Sequence, residues 1–408
     1  MTTWSVVNDD TREKRWQDHF PRRLPRYALL ACLALVVVSL GVALMPARPP
    51  EPAEPPFSEQ ARAAALAETR QLLAAGSQLG IAAQGTSADN SAGRPGSSDT
   101  SAGAGNPAVE RTVTLLTTQV QALLAPGENP PDPSGAASTG PGPAAPAPTA
   151  SSFATPAPST EPSAGPSAAR LPATAAGLVA ALADSGNQRL ADAAVADGGM
   201  ARLLAAVGTG QLLQATALAA GTGTEAPPAD AASPQLSGTC PSESAETQSS
   251  AGQSAEEQPS GGQPASGVGG ALAAAVRTEA QTIYGYQVAL PRLGGDAANS
   301  AAEQLARHEV LLSGAEVLSQ LHCAAVPPRE AGYALGQSFL ASPAAGLGGL
   351  EAAALPVYGD LVALSEGETR QWAIAALLGS GKRAVLWGAD PGALPGLDRA
   401  ALESLPAG

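Results

Sequence analysis

A chain of 408 residues is long enough for two or three domains, yet 3% aromatic content with 37 prolines and 45 glycines leaves much of it too poor in large apolar side chains to pack a core. The formal charge of −14 disfavours a nucleic-acid partner, since phosphate binding needs a basic face and none is evident beyond the first 26 residues. Modest helical bundles joined by long linkers fit this composition.

Residues 1–26 are polar, with Arg22, Arg23 and Arg26 clustered at their end. The run YALLACLALVVVSLGVALM, residues 27–45, carries no charge and matches the ~20 residues that cross a bilayer as a helix. The arginines before it predict a single-pass membrane protein with residues 1–26 in the cytoplasm and the bulk outside it. Two other readings compete. A cleaved signal peptide would have to use Ala43-Leu44-Met45 or Met45-Pro46-Ala47, both poor sites behind a long polar leader. A lipoprotein would use Cys32, but the main apolar run follows that cysteine rather than preceding it.

Residues 46–57, opening PARPPEPAEPP, read as a stiff extended spacer. Helical segments are expected over 58–125, carrying Leu66, Leu72, Leu73 and Leu79, and then the three-four stripe Val109, Val113, Leu116, Val120 and Leu123. Residues 126–170 are Pro, Ala, Ser, Thr and Gly with almost nothing apolar to offset ordering entropy, which predicts a disordered linker. Helical pattern returns over 171–221. There Leu178, Leu182, Leu190 and Val195 are interrupted by Ser185-Gly186, and Leu204, Val207, Gln211, Gln214 and Leu218 then share a face. These segments read either as a second, degenerate bundle or as helices packing loosely or onto the C-terminal bundle. Residues 222–268 form another Ser/Gly/Gln/Glu-rich linker.

Residues 269–390 hold the clearest domain, with a tail at 391–408. Leu272, Val276, Ile283, Tyr286 and Leu290 mark one stripe, completed by Glu279. Ala301, Leu305, Leu312, Ala315 and Leu318 mark a second around His308, and Leu347, Ala354, Tyr358 and Leu361 a third with Glu351. Pro356 should kink or loosen that third helix. Ala373, Leu377, Ala384 and Trp387 form the fourth seam. Short connections predict an all-α, up-down four-helix bundle.

TEAQTIYGYQVALPRLGG, ARHEVLL and LEAAALPVYGDLVAL resemble a ferritin-like domain, the group of unknown function found in secreted and anchored proteins of high-GC Gram-positive bacteria. The resemblance implies the bundle. It also implies a metal site, for which such folds use one Glu from each of two helices and a Glu-x-x-His pair from each of the others. Glu279 and Glu351 match the single carboxylates and His308 the first pair's histidine. Leu305 stands where that pair's glutamate belongs, and the fourth helix offers Leu377 and Ser380 at the corresponding spacing.

Two carboxylates and an imidazole suit iron, manganese or zinc. A histidine beside a glutamate can equally satisfy a buried carboxylate without metal. Tyr284, Tyr286 and Tyr358 read as core or rim residues. Gly379-Ser-Gly-Lys382-Arg383 departs from a phosphate loop, with Ala376 at the first glycine and Arg383 at the Ser/Thr. His19, His308 and His322 are the chain's histidines, so few nucleophilic sites can be built, and His322-Cys323 lacks a partner pair for structural zinc. Cys240 and Cys323, both placed outside the cytoplasm, are expected to form a disulfide, against unpaired thiols or pairing between chains.

The leading functional expectation is therefore a membrane-anchored binding or scaffold module of the cell envelope, without cofactor and with an envelope protein as partner. The alternative is a metal-binding or oxidoreductase protein using Glu279, His308 and Glu351. A carrier of a small apolar ligand is the third.

Overall fold

The structure, a computed structural model, describes residues 24–43, 54–91, 106–124, 171–228, 231, 233–236, 240 and 267–397. The linker expected at 126–170, much of that at 222–268, and the last residues of the chain lie outside the described residues. Every described regular element is a helix. The chain divides into two compact units, Met1–Glu54 and Pro55–Gly408.

The first unit contains α1, Leu24–Ala43, of 20 residues. At 1.5 Å per residue this helix is about 30 Å long, the thickness of a bilayer's hydrocarbon core. Leu29, Leu30, Leu33, Leu35, Val36 and Val37 are all exposed on it.

The second unit begins with α2 (Phe57–Ser91), α3 (Pro107–Leu123), α4 (Ala175–Val195) and α5 (Gly198–Thr222). The starts of three of these are set by side-chain caps. Asn106 accepts from the amide of Ala108, with Pro107 at the first helical position; Thr174 accepts from Gly177 and Asp197 from Met200. It continues with α6 (Val268–Ala289), a 3-10 turn (Leu290–Arg292), α7 (Gly295–Leu321), the short α8 (Gln337–Ala341), α9 (Pro343–Leu364) and α10 (Gly367–Leu386).

Both groups of four long helices follow one plan. Two hairpins, α2 with α3 and α4 with α5, lie side by side with α2 against α4 and α3 against α5. Likewise α6 pairs with α7 and α9 with α10, and α6 lies against α9, while α7 and α10 meet least. The groups are not independent: α5 packs on α9, α10 touches α4 and α5, and one continuous core runs from Leu66 through Leu204 to Leu377. Each leucine so buried contributes roughly 1.5–3 kcal/mol. Arg370 ties the turns together by donating to the carbonyls of Val362, Ser365 and Ala196, and Arg202 reaches Asp360 at 2.6 Å.

Several local expectations change. Ser185-Gly186 does not break α4; both residues are buried in mid-helix. A Cβ on Gly186 would stand 2.8 Å from Leu212 Cγ, and one on Gly208 would stand 2.7 Å from the Gly186 carbonyl, so this pair is where α4 and α5 approach most tightly. Val195, expected on the packed face, is exposed. The helix carrying Pro356 runs unbroken from Pro343 to Leu364. The first part of the expected tail, 391–397, is packed: Leu394 is buried, the Ala393 carbonyl accepts from Gln119, and that of Gly396 accepts from Arg202. Among the described residues α5 and α9 are long and apolar enough to cross a membrane, but 67% and 50% of their most apolar windows are buried in the protein, as in core helices.

Candidate functional site

Each of the four long C-terminal helices sends one acidic or basic side chain to the bundle centre. Glu279 comes from α6, His308 from α7, Glu351 from α9 and Arg383 from α10. The first three are 0% exposed and Arg383 7%. Each sits on its helix's core-facing stripe at three- or four-residue steps from buried neighbours, which is why helix formation alone aims all four inward.

The four form one connected network. His308 Nδ1 lies 2.7 Å from Glu279 Oε2, and its Nε2 lies 2.7 Å from Glu351 Oε1. Arg383 Nε is 2.9 Å from each carboxylate oxygen of Glu351. Tyr358 donates its hydroxyl to Glu279 Oε1, and Tyr286 donates to Glu351 Oε1 at 2.8 Å. Trp387 Nε1 donates to the Tyr286 hydroxyl at 2.7 Å, and Ser380 Oγ donates to the Glu351 carboxylate at 3.1 Å.

A neutral imidazole has a single N–H, so it cannot donate to two carboxylates. Unless a carboxyl group carries the second proton, contact at both ring nitrogens makes the ring an imidazolium. Burial opposes that charge, but the hydrogen bonds and negative charges of Glu279 and Glu351 outweigh it and hold His308 above the usual histidine range. Burial likewise opposes an ionised Glu351, and the His308 hydrogen bond with the Arg383 charge reverses the balance, so its carboxyl is held below the ordinary value. Burial pushes the Tyr286 and Tyr358 hydroxyls well up, so both remain neutral donors. The imidazolium and the guanidinium thus face the Glu279 and Glu351 carboxyl groups across the bundle centre.

The ferritin-like resemblance implies a metal at this point of the bundle. Iron, manganese or zinc would need lone pairs from Glu279, His308 and Glu351, but both His308 nitrogens face carboxylate oxygens at hydrogen-bond distance. Arg383 supplies a fixed cation against Glu351, and neither Leu305 nor Leu377 offers a donor atom. Among the described residues no group of three His, Cys, Asp or Glu side chains is placed to hold a metal ion. The donor set as arranged does not fit a metal centre; its charges compensate one another.

The other residues singled out in sequence fall elsewhere. Gln211 is buried among neutral partners, donating to Gln119 Oε1 at 3.1 Å and Thr69 Oγ1 at 3.4 Å, while Gln214 donates to Thr112 at 2.8 Å. The N-terminal group thus carries an amide and hydroxyl network where the C-terminal group carries charges. Cys240 and Cys323 are joined in a disulfide, with Cα atoms 5.4 Å apart, fastening the segment after α5 to the end of α7. His322 Nε2 contacts Thr369 Oγ1 at 2.8 Å, and His19 lies outside the described residues. Tyr284 packs against Tyr333, away from the quartet. Arg383 is the residue the sequence reading missed. The signal was present, since an arginine three residues after Ser380 and four before Trp387 interrupts an apolar seam just as Glu279 does.

Residues 271–399, containing the entire quartet, match a protein family described as a domain of unknown function (DUF4439). Neither a curated protein nor a solved structure matches the chain.

Proposed function

We propose that this chain is a single-pass membrane protein whose part outside the cytoplasm is a non-enzymatic binding or scaffold module of the cell envelope, its C-terminal helices forming a ferritin-like bundle. The observation that carries the non-enzymatic reading is the mutual pairing of the quartet. Glu279, His308 and Glu351 are fully buried and direct their carboxyl and ring atoms mainly to one another, to Arg383 and to two tyrosines, which suits a device that fixes helix register rather than one that turns over a substrate. Supporting the anchor are the uncharged run within α1, its exposed leucines and valines, and the arginines that precede it.

The test is metal content of the full chain, purified without chelator in detergent, beside a Glu279→Ala, His308→Ala double variant. Trace metal in both is expected. Near-stoichiometric iron, manganese or zinc that the double variant loses would replace this reading with a metalloprotein. Resistance of the full chain to alkaline extraction from membranes checks the anchor, and release by alkali would refute it.

A further inference from the structure

A cleft of about 530 Å³ lies between α3 and α5, with residues 389–393, beyond α10, as its third wall. Arg111, Leu115 and Thr118 line it from α3, and Gly210, Leu213 and Gln214 from α5, each set at the three- and four-residue steps of one helix face. Leu115, Leu213, Val385 and Pro391 make its walls largely apolar, and Val385 is 49% exposed. Arg111 and Asp390 line the same cleft with opposite charges. No ion pair joins them, and neither has an ion-pair partner elsewhere among the described residues. We propose that this cleft binds a short peptide with free ends, its carboxylate on Arg111, its ammonium on Asp390 and its apolar side chains on Leu115, Leu213 and Val385.

Arg62, Arg189, Arg202, Arg329 and Arg383 each reach a carboxylate, whereas Arg111 reaches none among the described residues. Its planar fork matches the two oxygens of a peptide carboxylate. Asp390 has one oxygen engaged: Oδ1 accepts from the Gly392 amide at 2.8 Å, in a turn that Gly392 permits with a φ of 76°. Oδ2 remains for an ammonium. A purely anionic ligand would meet Asp390 and a purely cationic one Arg111, so the pair of charges selects a dipolar molecule. Two or three extended residues span about 7–11 Å, enough to join charges set too far apart to pair directly. Other side-chain donors in the cleft are already engaged. Thr114 and Thr118 donate their hydroxyls back to the carbonyls of Glu110 and Thr114, and the Gln214 amide nitrogen serves Thr112 and Ala108. The volume falls among those of small-molecule sites, roughly 300–1,000 Å³.

The third wall is held in place. A Cβ on Gly210 would stand 2.6 Å from the Ala393 carbonyl, so the missing side chain is what lets this segment lie on α5. Gln119 donates to the same carbonyl at 2.9 Å, and Leu394 is buried just beyond. Asp390 is thereby fixed at a cleft whose other walls are regular helices. The site uses neither the anchor nor the buried quartet, so it stands or falls apart from the metal question.

The experiment is calorimetric titration of the full chain in detergent with dileucine and trileucine, each with free ends, N-acetylated or C-amidated, and with triglycine. It is repeated on Arg111→Gln and on Asp390→Asn, which keeps the acceptor for Gly392; an unchanged unfolding midpoint shows that the fold is kept. Saturable one-to-one binding of a free leucine peptide is expected, weakened about tenfold or more by capping either end, the scale of losing a charge-assisted bond. Arg111→Gln should bind the free peptide correspondingly less tightly and no longer respond to amidation, and Asp390→Asn should no longer respond to acetylation. Triglycine, without apolar side chains, should bind far more weakly. Absence of saturable binding by both leucine peptides overturns the site. So does unchanged affinity on capping either end, a variant that responds to capping as the native chain does, or triglycine binding as tightly as trileucine.

Discussion

Arg383 Nε lies 2.9 Å from both carboxylate oxygens of Glu351, so a guanidinium fixed on α10 neutralises a carboxylate buried on α9. Removing one member of a buried pair strands the other's charge. Arg383→Met should therefore cost about 3–5 kcal/mol, while Arg383→Met with Glu351→Gln should recover much of it, because the stranded charge is gone. Denaturant unfolding of the two variants checks this. Equal destabilisation by the single and double variants would argue that Arg383 acts through packing alone.

His308 and Glu351 set opposite pH limits. A histidine raised above its ordinary value of 6.5 contributes stability that is complete below that pH and lost as pH rises through its folded value. A carboxyl lowered from 4.5 contributes stability that is complete above that pH and lost as pH falls through its folded value. Both contributions are complete between 4.5 and 6.5. Stability relative to His308→Gln should thus be greatest there and decline on the alkaline side. Nitrogen-15 shifts of the ring provide the direct check: an imidazolium at neutral pH is expected, and a neutral ring would sink the assignment.

The Cys240–Cys323 disulfide closes a loop of sequence separation 83. Cys240→Ser with Cys323→Ser should lower stability by roughly 2–4 kcal/mol and expose the segment near Ala231 to protease. A reductant-independent melting point and cleavage pattern would show that the bridge holds nothing.

Gly359 lies under the packed segment 391–397, where an added Cβ would meet the Gly396 carbonyl at 2.1 Å. Gly359→Ala should force 391–397 away from α9 and cost about 1–3 kcal/mol through overpacking. Faster hydrogen exchange at Leu394 and Leu397 is the expected sign. Unchanged protection there would show that residues 391–397 do not pack on α9.

Much of this protein is written locally. Turn residues, caps and three-four stripes fix where α3, α4, α6, α7 and α10 begin and which side of each faces inward, since helix periodicity needs only neighbours in sequence. By the same rule Glu279, His308 and Glu351 stand out as polar residues on apolar stripes. Partnership was not legible, because it depends on residues far apart in the chain. Arg383 read as a failed phosphate-loop position until α9 and α10 set it against Glu351, 32 residues away. Ser185-Gly186 read as a break until α5 pressed Gly208 against it. Nothing along the chain joins Arg111 to Asp390, yet the fold sets both on one cleft. The sequence by itself determined helices and the inward direction of their polar residues; the tertiary structure alone decided which charges meet, that both groups of helices share one core, and that residues 391–397 pack against it. The physical reason is that a helical stripe is set over a few residues, whereas charge compensation and close packing are settled between segments brought together only by the fold.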